Sequence, residues 1–173
     1  MTLDRLWAGW RSDYIEGVAS EGVASGGGAP DGECLFCTLA AADDHEGMVL
    51  ARNEHAFAVM NAYPYTSGHV MVAPLRHEGT LAALTRDEAN ALMALTQDAT
   101  RALERAYRPE GINVGVNIGR AAGAGIPGHV HVHALPRWNG DTNFMTSVAE
   151  ARVLPESLRT SYDKLRAAWP TSS

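Results

Sequence analysis

Residues 128–138 read Gly-His-Val-His-Val-His-Ala-Leu-Pro-Arg-Trp, and this run decides how the rest of the chain is interpreted. Side chains at alternate positions of a β-strand share one face, so a strand here places His129, His131 and His133 on the same side. Three imidazoles that project together suit a phosphate group or a metal ion. The alternative is three unrelated histidines on a solvated strand face, which is disfavoured because strands do not select for histidine.

A second informative stretch is residues 61–74, which read Asn-Ala-Tyr-Pro-Tyr-Thr-Ser-Gly-His-Val-Met-Val-Ala-Pro. Together with the histidine run it resembles the histidine triad superfamily, in which a ribose-binding Asn and a fourth histidine eight positions later precede His-x-His-x-His with apolar x. The resemblance covers roughly residues 34 to 138. The tail at 136–145 is similar to the bacterial branch that includes diadenosine tetraphosphate phosphorylases and hydrolases.

Composition excludes several classes of function. The chain has 173 residues, 46% of them hydrophobic, which fits one globular domain. A net charge of -6 argues against binding to nucleic acid polymers or to an anionic membrane. No apolar run reaches the roughly 18 residues of a membrane helix, and the first residues lack the order of a signal peptide. We therefore expect a cytoplasmic protein.

Hydrophobic periodicity predicts an α+β domain with a mostly antiparallel sheet, one long helix and a C-terminal helix, in agreement with the fold that the resemblance implies. The long helix begins at a capping box formed by Thr85 and Glu88. The predicted elements are a strand hairpin at 48–51 and 56–60, a strand at 69–74, the helix from 85 to 108, a second hairpin at 112–117 and 129–135, and a helix at 155–169.

Two parts of the chain are distinguished. Residues 1–33 comprise an aromatic segment with helical spacing and a Gly/Ser-rich stretch that is expected to be a mobile loop, since it contains too little apolar surface to fix its backbone. Residues 34–173 form the histidine triad (HIT) domain with its C-terminal tail helix.

The middle histidine of the run is the expected nucleophile. Neutral imidazole attacks phosphorus when one ring nitrogen is held protonated and the other presents its lone pair. The resemblance implies that His131 becomes nucleotidylated at an α-phosphate, and that water or inorganic phosphate then attacks. It also implies that His133 and His69 bind phosphate and stabilise transition-state charge. For His69 the alternative is an ordinary histidine at a strand edge.

Further nucleotide contacts are implied by the same resemblance. Asn61 aligns with the ribose ligand, although an Asn in a turn is a competing interpretation, and Asn117 aligns with a phosphate ligand. The loop at 120–128, with Gly125, allows close approach of backbone amides to phosphate. The chain departs from the pattern at Ile126, where the family often has a hydroxyl.

The end of the histidine strand offers a further contact. If Pro136 ends the strand, Arg137 and Trp138 emerge at its rim. There they could contact a distal phosphate and stack on a second base, or pack against the N-terminal aromatic residues.

The only cysteines form the pair Cys34-Leu35-Phe36-Cys37. Two cysteines are too few for a disulfide scaffold, which leaves metal binding, redox chemistry or packing, and metal is favoured because no βαβ pattern lies nearby. With His77 and His129, the pair resembles the zinc site of some histidine triad proteins and galactose-1-phosphate uridylyltransferases. Such a shell suits structural zinc. A zinc ion and a phosphate group would compete for the His129 side chain.

The sequence therefore predicts a nucleotide hydrolase or nucleotidyl transferase that cleaves dinucleoside polyphosphates, such as diadenosine tetraphosphate, or related conjugates. The partner is a small nucleotide, and the resemblance implies a homodimer. A nucleotide-sensing binding protein with little turnover is the alternative. The choice between hydrolysis and phosphorolysis, and the preferred base, stay open.

Overall fold

A computed structural model describes residues 34–141 and 155–171. The predicted aromatic segment and loop at 1–33 lie outside these ranges. The elements in chain order are α1 Leu35–Ala41, β1 Val49–Arg52, β2 Ala56–Met60, β3 Val70–Pro74, α2 Arg86–Tyr107, β4 Gly111–Val116, β5 Val132–Arg137 and α3 Leu158–Ala168, with short 3₁₀ turns at Leu81–Ala83 and Arg120–Ala122.

The five described strands form one sheet in the order β1-β2-β3-β5-β4. Every neighbouring pair is antiparallel, so the predicted α+β class and both predicted hairpins are confirmed. Among the described residues, no helix combines the length and apolar character that crossing a bilayer requires.

Both faces of the central strands are covered, which explains why β2 and β3 are buried at every position. One face packs with α2 and α3 in a large apolar core that includes Val72, Val132 and Leu103. The other face carries a smaller apolar cluster centred on Phe36 and Phe57. Because alternate residues of a strand point to opposite faces, Val132 and Ala134 of the histidine run enter the large core. His129 and His131 are left on the side of Phe36.

The capping box predicted for the long helix is present. The Thr85 hydroxyl accepts the Glu88 backbone N–H at 3.2 Å, and the Glu88 carboxylate accepts the Thr85 N–H at 2.8 Å. The helix ends at Tyr107, because Arg108 adopts a left-handed conformation with φ of 45° and a proline follows. The same carboxylate accepts two bonds from Arg76, at 2.6 and 2.9 Å. Helix α2 is thereby tied to the chain that follows β3.

The predicted bounds of the histidine strand are wrong at both ends. β5 starts at Val132, not residue 129, because the register would place Val130 opposite Pro74, whose nitrogen has no hydrogen to donate. The Val130 N–H donates instead to the Glu78 carbonyl, at 2.6 Å. Nor does Pro136 end the strand. Beyond Ala134, β4 is the only partner of this strand in the part of the chain that the structure describes, and a missing donor is tolerated there.

Helix α1 is not among the elements that the sequence predicts. Its seven residues are too few to display a clear period, and helices of this length depend on tertiary contacts. Those contacts come from Arg52 of β1, whose guanidinium donates to the carbonyls of Ala40 at 2.5 Å and Ala42 at 3.1 Å, while Asp44 binds its Nε at 2.7 Å. Arg52 therefore caps the C-terminal end of α1 with a cation.

The Glu88–Arg76 pair predicts a defined pH dependence of stability. The pKa of Glu88 is lowered from 4.5 to about 2, first by the Arg76 side chain and then by the Thr85 backbone N–H. A lowered carboxyl pKa stabilises the fold fully above the ordinary value, and that contribution disappears as the pH falls through the lowered value. We expect Glu88→Gln to lower the melting temperature by a few degrees at pH 7. The difference from wild type should shrink between pH 4.5 and 2.

Asp87→Asn is the matched control, since Asp87 is an exposed carboxylate in the same helical turn. Thermal melts of the three proteins from pH 7 to pH 2 provide the measurement. A Glu88→Gln difference that is independent of pH would contradict the ion pair.

Candidate functional site

The hydrogen bonding of His131 selects one tautomer. Its Nδ1 lies 2.8 Å from the backbone oxygen of His129, and because a carbonyl can only accept, the hydrogen must be on Nδ1. The lone pair is then on Nε2. Burial lowers the pKa of His131, while the bond to the His129 carbonyl acts in the opposite direction. A buried neutral imidazole with an Nε2 lone pair is the form that a nucleophile toward phosphorus needs.

His69 and His133 join His131 through their rings. His69 Nε2 lies 2.9 Å from His133 Nδ1, and the ring centroids of His131 and His133 are 4.8 Å apart. His69 precedes β3 by one residue, and β3 pairs directly with β5, so sheet pairing unites histidines that are 64 positions apart. The structure brings these three sequence-predicted residues into one cluster.

Asn61 lies in a turn and also contacts the histidine cluster. Its Oδ1 accepts the Tyr63 backbone N–H at 3.0 Å, and its Nδ2 lies 3.1 Å from His69 Nδ1. A carboxamide has two lone pairs on oxygen and two hydrogens on nitrogen, so each end retains capacity for a further bond. The turn interpretation and a ligand role are therefore compatible for this side chain.

Tyr65 is a site residue that sequence reasoning missed. Its ring is stacked with His133 at 25° and 6.0 Å, and its centroid is 4.7 Å from that of His69. Its backbone N–H donates to His69 Nδ1 at 3.1 Å. No periodic pattern could have identified Tyr65, because it lies in an irregular loop.

A second cluster unites Cys34, Cys37, His77 and His129, whose potential ligand atoms all lie within 4.8 Å of one another. The Nδ1 of His129 is 3.3 Å from the Cys34 sulfur and 3.8 Å from that of Cys37, and His77 Nδ1 is 3.4 Å from the Cys37 sulfur. Two sulfur and two nitrogen donors match a closed tetrahedral zinc shell. His77 is the exposed member of this cluster, so burial restrains its side chain less than those of the other three residues.

The tautomer of His129 fits this cluster. Its Nε2 lies 2.9 Å from the Pro74 carbonyl, so the hydrogen is on Nε2 and the Nδ1 lone pair faces the sulfurs. Burial also lowers the pKa of His129, which favours the neutral ring that a metal requires. A carbonyl behind a ligating histidine is a common support of zinc sites. Of the two interpretations that competed for this ring, the geometry favours metal over phosphate.

Phe36 connects the two clusters and is also absent from the sequence-predicted site. It lies between the two cysteines in α1 and is fully buried. Its ring centroid is 5.2 Å from that of His129 and 4.7 Å from that of His131. Any interaction that fixes the positions of Cys34 and Cys37 therefore also fixes the Phe36 ring, on which His131 packs.

The remaining predicted residues lie toward the periphery. Asn117 directly follows β4 and is half-buried, Gly125 is exposed in its loop, and Ile126 packs against the Phe36 cluster. Trp138 is half-buried, and its ring makes an edge contact with Tyr107 at 6.2 Å. Tyr107 is the last residue of α2, and the N-terminal aromatic segment that the alternative invoked lies outside the described residues.

Arg137 is engaged by neighbouring side chains. Its guanidinium bonds Asp141 at 2.5 and 2.8 Å and the Asn113 carboxamide oxygen at 2.7 Å. A bidentate carboxylate already neutralises its charge. The expected contact between Arg137 and a distal phosphate would compete with Asp141 for the guanidinium charge.

Comparison with known proteins adds three findings. A family model described as HIT domain matches residues 43–140. The chain is 39% identical over 167 residues to a Mycobacterium tuberculosis protein named AP-4-A phosphorylase, covering 96% of this chain and 85% of that protein. A crystal structure of a Zn-bound histidine triad family protein from Mycobacterium smegmatis has a TM-score of 0.63 at 28% identity, covering 78% of this chain and 91% of that one.

The packing of Phe36 predicts a large effect on stability. Phe36→Ala removes a fully buried ring, and buried Phe→Ala changes destabilise proteins by about 3–5 kcal/mol. Leu35→Ala, at the adjacent exposed position of the same helix, should cause a clearly smaller loss. Urea denaturation of the two variants and the wild type measures this difference. Equal losses would show that Phe36 does not anchor α1.

Proposed function

Because this chain belongs to the HIT domain family and is an enzyme of its nucleotide hydrolase and phosphorylase class, we propose that it cleaves dinucleoside polyphosphates at an α-phosphate through a nucleotidyl-His131 intermediate. The observation that carries the proposal is the 2.8 Å bond from His131 Nδ1 to the His129 carbonyl, which leaves Nε2 as a nucleophile. The name of the Mycobacterium tuberculosis relative, AP-4-A phosphorylase, supports the substrate class.

The reaction consists of two displacements at one phosphorus atom. His131 Nε2 forms a bond to the α-phosphorus, and the P–O bond to the rest of the substrate breaks, releasing a nucleotide. Water or inorganic phosphate then attacks the same phosphorus, and the N–P bond breaks to regenerate neutral His131. With water the second product is a nucleoside monophosphate, and with inorganic phosphate it is a nucleoside diphosphate. His133 and His69 stabilise the developing charge on phosphate oxygens.

The nucleotide is held by residues around this centre. Asn61 binds the ribose with the hydrogen-bonding capacity that its turn leaves available, and Asn117 with the amides near Gly125 binds phosphate. The Trp138 indole stacks on the base of the second nucleoside. Its contact with Tyr107 leaves the indole half-exposed at the end of β5.

Cys34, Cys37, His77 and His129 would hold a zinc ion. With four protein ligands such a site would have no open position, so the metal would supply structural support and not an activated nucleophile. Residues outside the shell fix the ligands: Arg52 holds the C-terminal end of α1, and Arg76 holds the chain beside His77. The Zn-bound state of the similar Mycobacterium smegmatis protein supports this assignment.

The edge of the sheet supports a homodimer. Among the described residues β4 pairs with β5 on one side only, and four of its six residues are exposed. An unprotected edge strand presents backbone donors and acceptors to another chain. A second copy that adds to β4 would satisfy them and would cover Val114, which is 49% exposed.

The covalent mechanism predicts that His131→Ala abolishes turnover. Loss of the nucleophile should lower kcat by about 10⁴-fold or more, while nucleotide binding is largely retained. His45→Ala is the control, since His45 is exposed and lies outside both clusters. Mixing with diadenosine tetraphosphate labelled at the α-phosphate, followed by acid-free quenching within milliseconds, should trap labelled wild type and His45→Ala but not His131→Ala.

A His131→Ala variant with the turnover rate of the wild type would rule out the covalent mechanism. Tight nucleotide binding by wild type without turnover would instead favour the nucleotide-sensing alternative.

The metal assignment predicts about one zinc per chain in protein purified without chelator. Cys34→Ser and Cys37→Ser should lose the metal and melt at a lower temperature, because the released ligands no longer hold α1 to His129. His77→Ala should weaken binding less, since its ring is exposed. Thr38→Ala, an exposed change in the same helix, is the control for elemental analysis and thermal melting. Wild-type protein that contains no zinc would contradict the metal site and favour a packing role for the cysteines.

A further inference from the structure

We propose that Tyr107 is a positioning residue that sets the preference for a second nucleoside, and that Glu156, from the segment leading into α3, holds its ring in place. The inference rests on the proposed function and deepens it, because it identifies residues that make a dinucleotide a better substrate than a simple nucleotide ester. Tyr107 acts through two neighbours: Gly68, which precedes His69, and Trp138, which follows β5.

The loop that leads to His69 packs directly on the Tyr107 ring. A Cβ added at Gly68 would lie 2.6 Å from Tyr107 Cε2 and 3.1 Å from its Cζ, so only a residue without a side chain fits against the ring here. Gly68 also has a φ of 79°, in the left-handed region that favours glycine. The backbone directly before His69 therefore rests on Tyr107.

The same ring also borders Trp138. The two ring centroids are 6.2 Å apart and the rings are inclined at 75°, which is the edge-to-face arrangement that aromatic pairs favour. The Trp138 main chain is restrained separately, because the Asp141 carboxylate accepts its N–H at 3.2 Å while Arg137 binds both carboxylate oxygens. Asp141 thus fixes the backbone of Trp138, and Tyr107 restrains its indole.

A carboxylate near the C-terminus anchors Tyr107. The Tyr107 hydroxyl donates to Glu156 Oε1, and the Ser161 hydroxyl donates to the same oxygen at 2.7 Å. Lys164 donates to the other oxygen, and its ammonium lies 5.5 Å from the centre of the Tyr107 ring. The Glu156 side chain is only 11% exposed, so water competes little for these bonds. Glu156 is therefore a fixed acceptor for the Tyr107 hydroxyl.

The position of Tyr107 in its helix explains why an anchor matters. Tyr107 is the last residue of α2, and Arg108 after it adopts the left-handed conformation. Helix ends fray, so a side chain there depends on contacts outside the helix for its position. The bond to Glu156 supplies such a contact at the far end of the ring.

A ring that contacts both neighbours couples the two ends of the proposed substrate. Gly68 positions His69, which serves the α-phosphate, and Trp138 serves the second base. A dinucleotide must engage both at once, so its binding depends on their relative position. An ester with a small leaving group needs only the first. Loss of the anchor should therefore penalise dinucleotides selectively.

The test compares diadenosine tetraphosphate with the p-nitrophenyl ester of adenosine 5′-phosphate, which has the same α-phosphate but no second nucleoside. Steady-state rates are measured with inorganic phosphate present. Tyr107→Phe keeps the ring and removes the hydroxyl. We expect it to raise KM for diadenosine tetraphosphate by about 2- to 30-fold, the range for residues that couple sites without touching ligand, and to change kcat/KM for the ester by less than about twofold.

Three further variants isolate the anchor. Glu156→Ala should reproduce the effect of Tyr107→Phe, and the double variant should lose no more than either single one, because both changes remove the same bond. Glu156→Gln should lose less, since a carboxamide oxygen still accepts from the Tyr107 hydroxyl. Asp163→Asn, which removes an exposed carboxylate from the same helix, is the control and should leave both substrates unaffected.

Substrate selectivity separates positioning from simple packing. Variants that melt at a lower temperature but lose both substrates equally would overturn the inference, because a purely structural bond does not distinguish the substrates. Additive losses in the double variant would overturn the anchoring role of Glu156. Wild-type protein that turns over neither substrate would overturn the proposed function itself, and that result is visible without any variant.

Discussion

His129 is the residue on which both parts of the site depend. Its side chain donates from Nε2 to the Pro74 carbonyl and turns Nδ1 toward the cysteine sulfurs, while its backbone carbonyl accepts from His131 Nδ1. One residue thus connects a metal-type cluster with the expected nucleophile. The position of His129 therefore sets the acceptor that fixes the tautomer of His131.

The backbone directs the chemistry of the imidazoles throughout. The Pro74 and His129 carbonyls can only accept, and the Tyr65 N–H can only donate. Each therefore fixes which ring nitrogen of its histidine partner carries hydrogen. Three histidines with similar intrinsic properties acquire defined tautomers because loops and strand ends present different backbone atoms to them.

Two arginines support this arrangement from a distance. Arg52 neutralises the C-terminal end of α1, the helix that contains Phe36 and Cys37 and has Cys34 as its N-cap. Arg76 ties the segment beside His77 to Glu88 in the capping box of α2. The carbonyl of Glu78 then accepts the Val130 N–H within the histidine run. The elements around the site are therefore linked by charged contacts as well as by apolar packing.

Local sequence determined most of the secondary structure of this protein and the candidate residues of its site. Alternation and capping predicted the hairpins, the long helix and the α+β class, because period and caps are properties of neighbouring residues. The His-x-His-x-His run and the Cys-x-x-Cys pair likewise indicated the site residues by spacing and type. Only tertiary structure decided where β5 begins, since that depends on Pro74 across the sheet, and that α1 forms at all, since that depends on Arg52. Tertiary structure also decided the tautomers of the histidines and the contacts that Tyr65 and Phe36 make with the histidine rings. Hydrogen-bond directions and ring contacts arise between residues that are distant in the chain or that lie in irregular backbone.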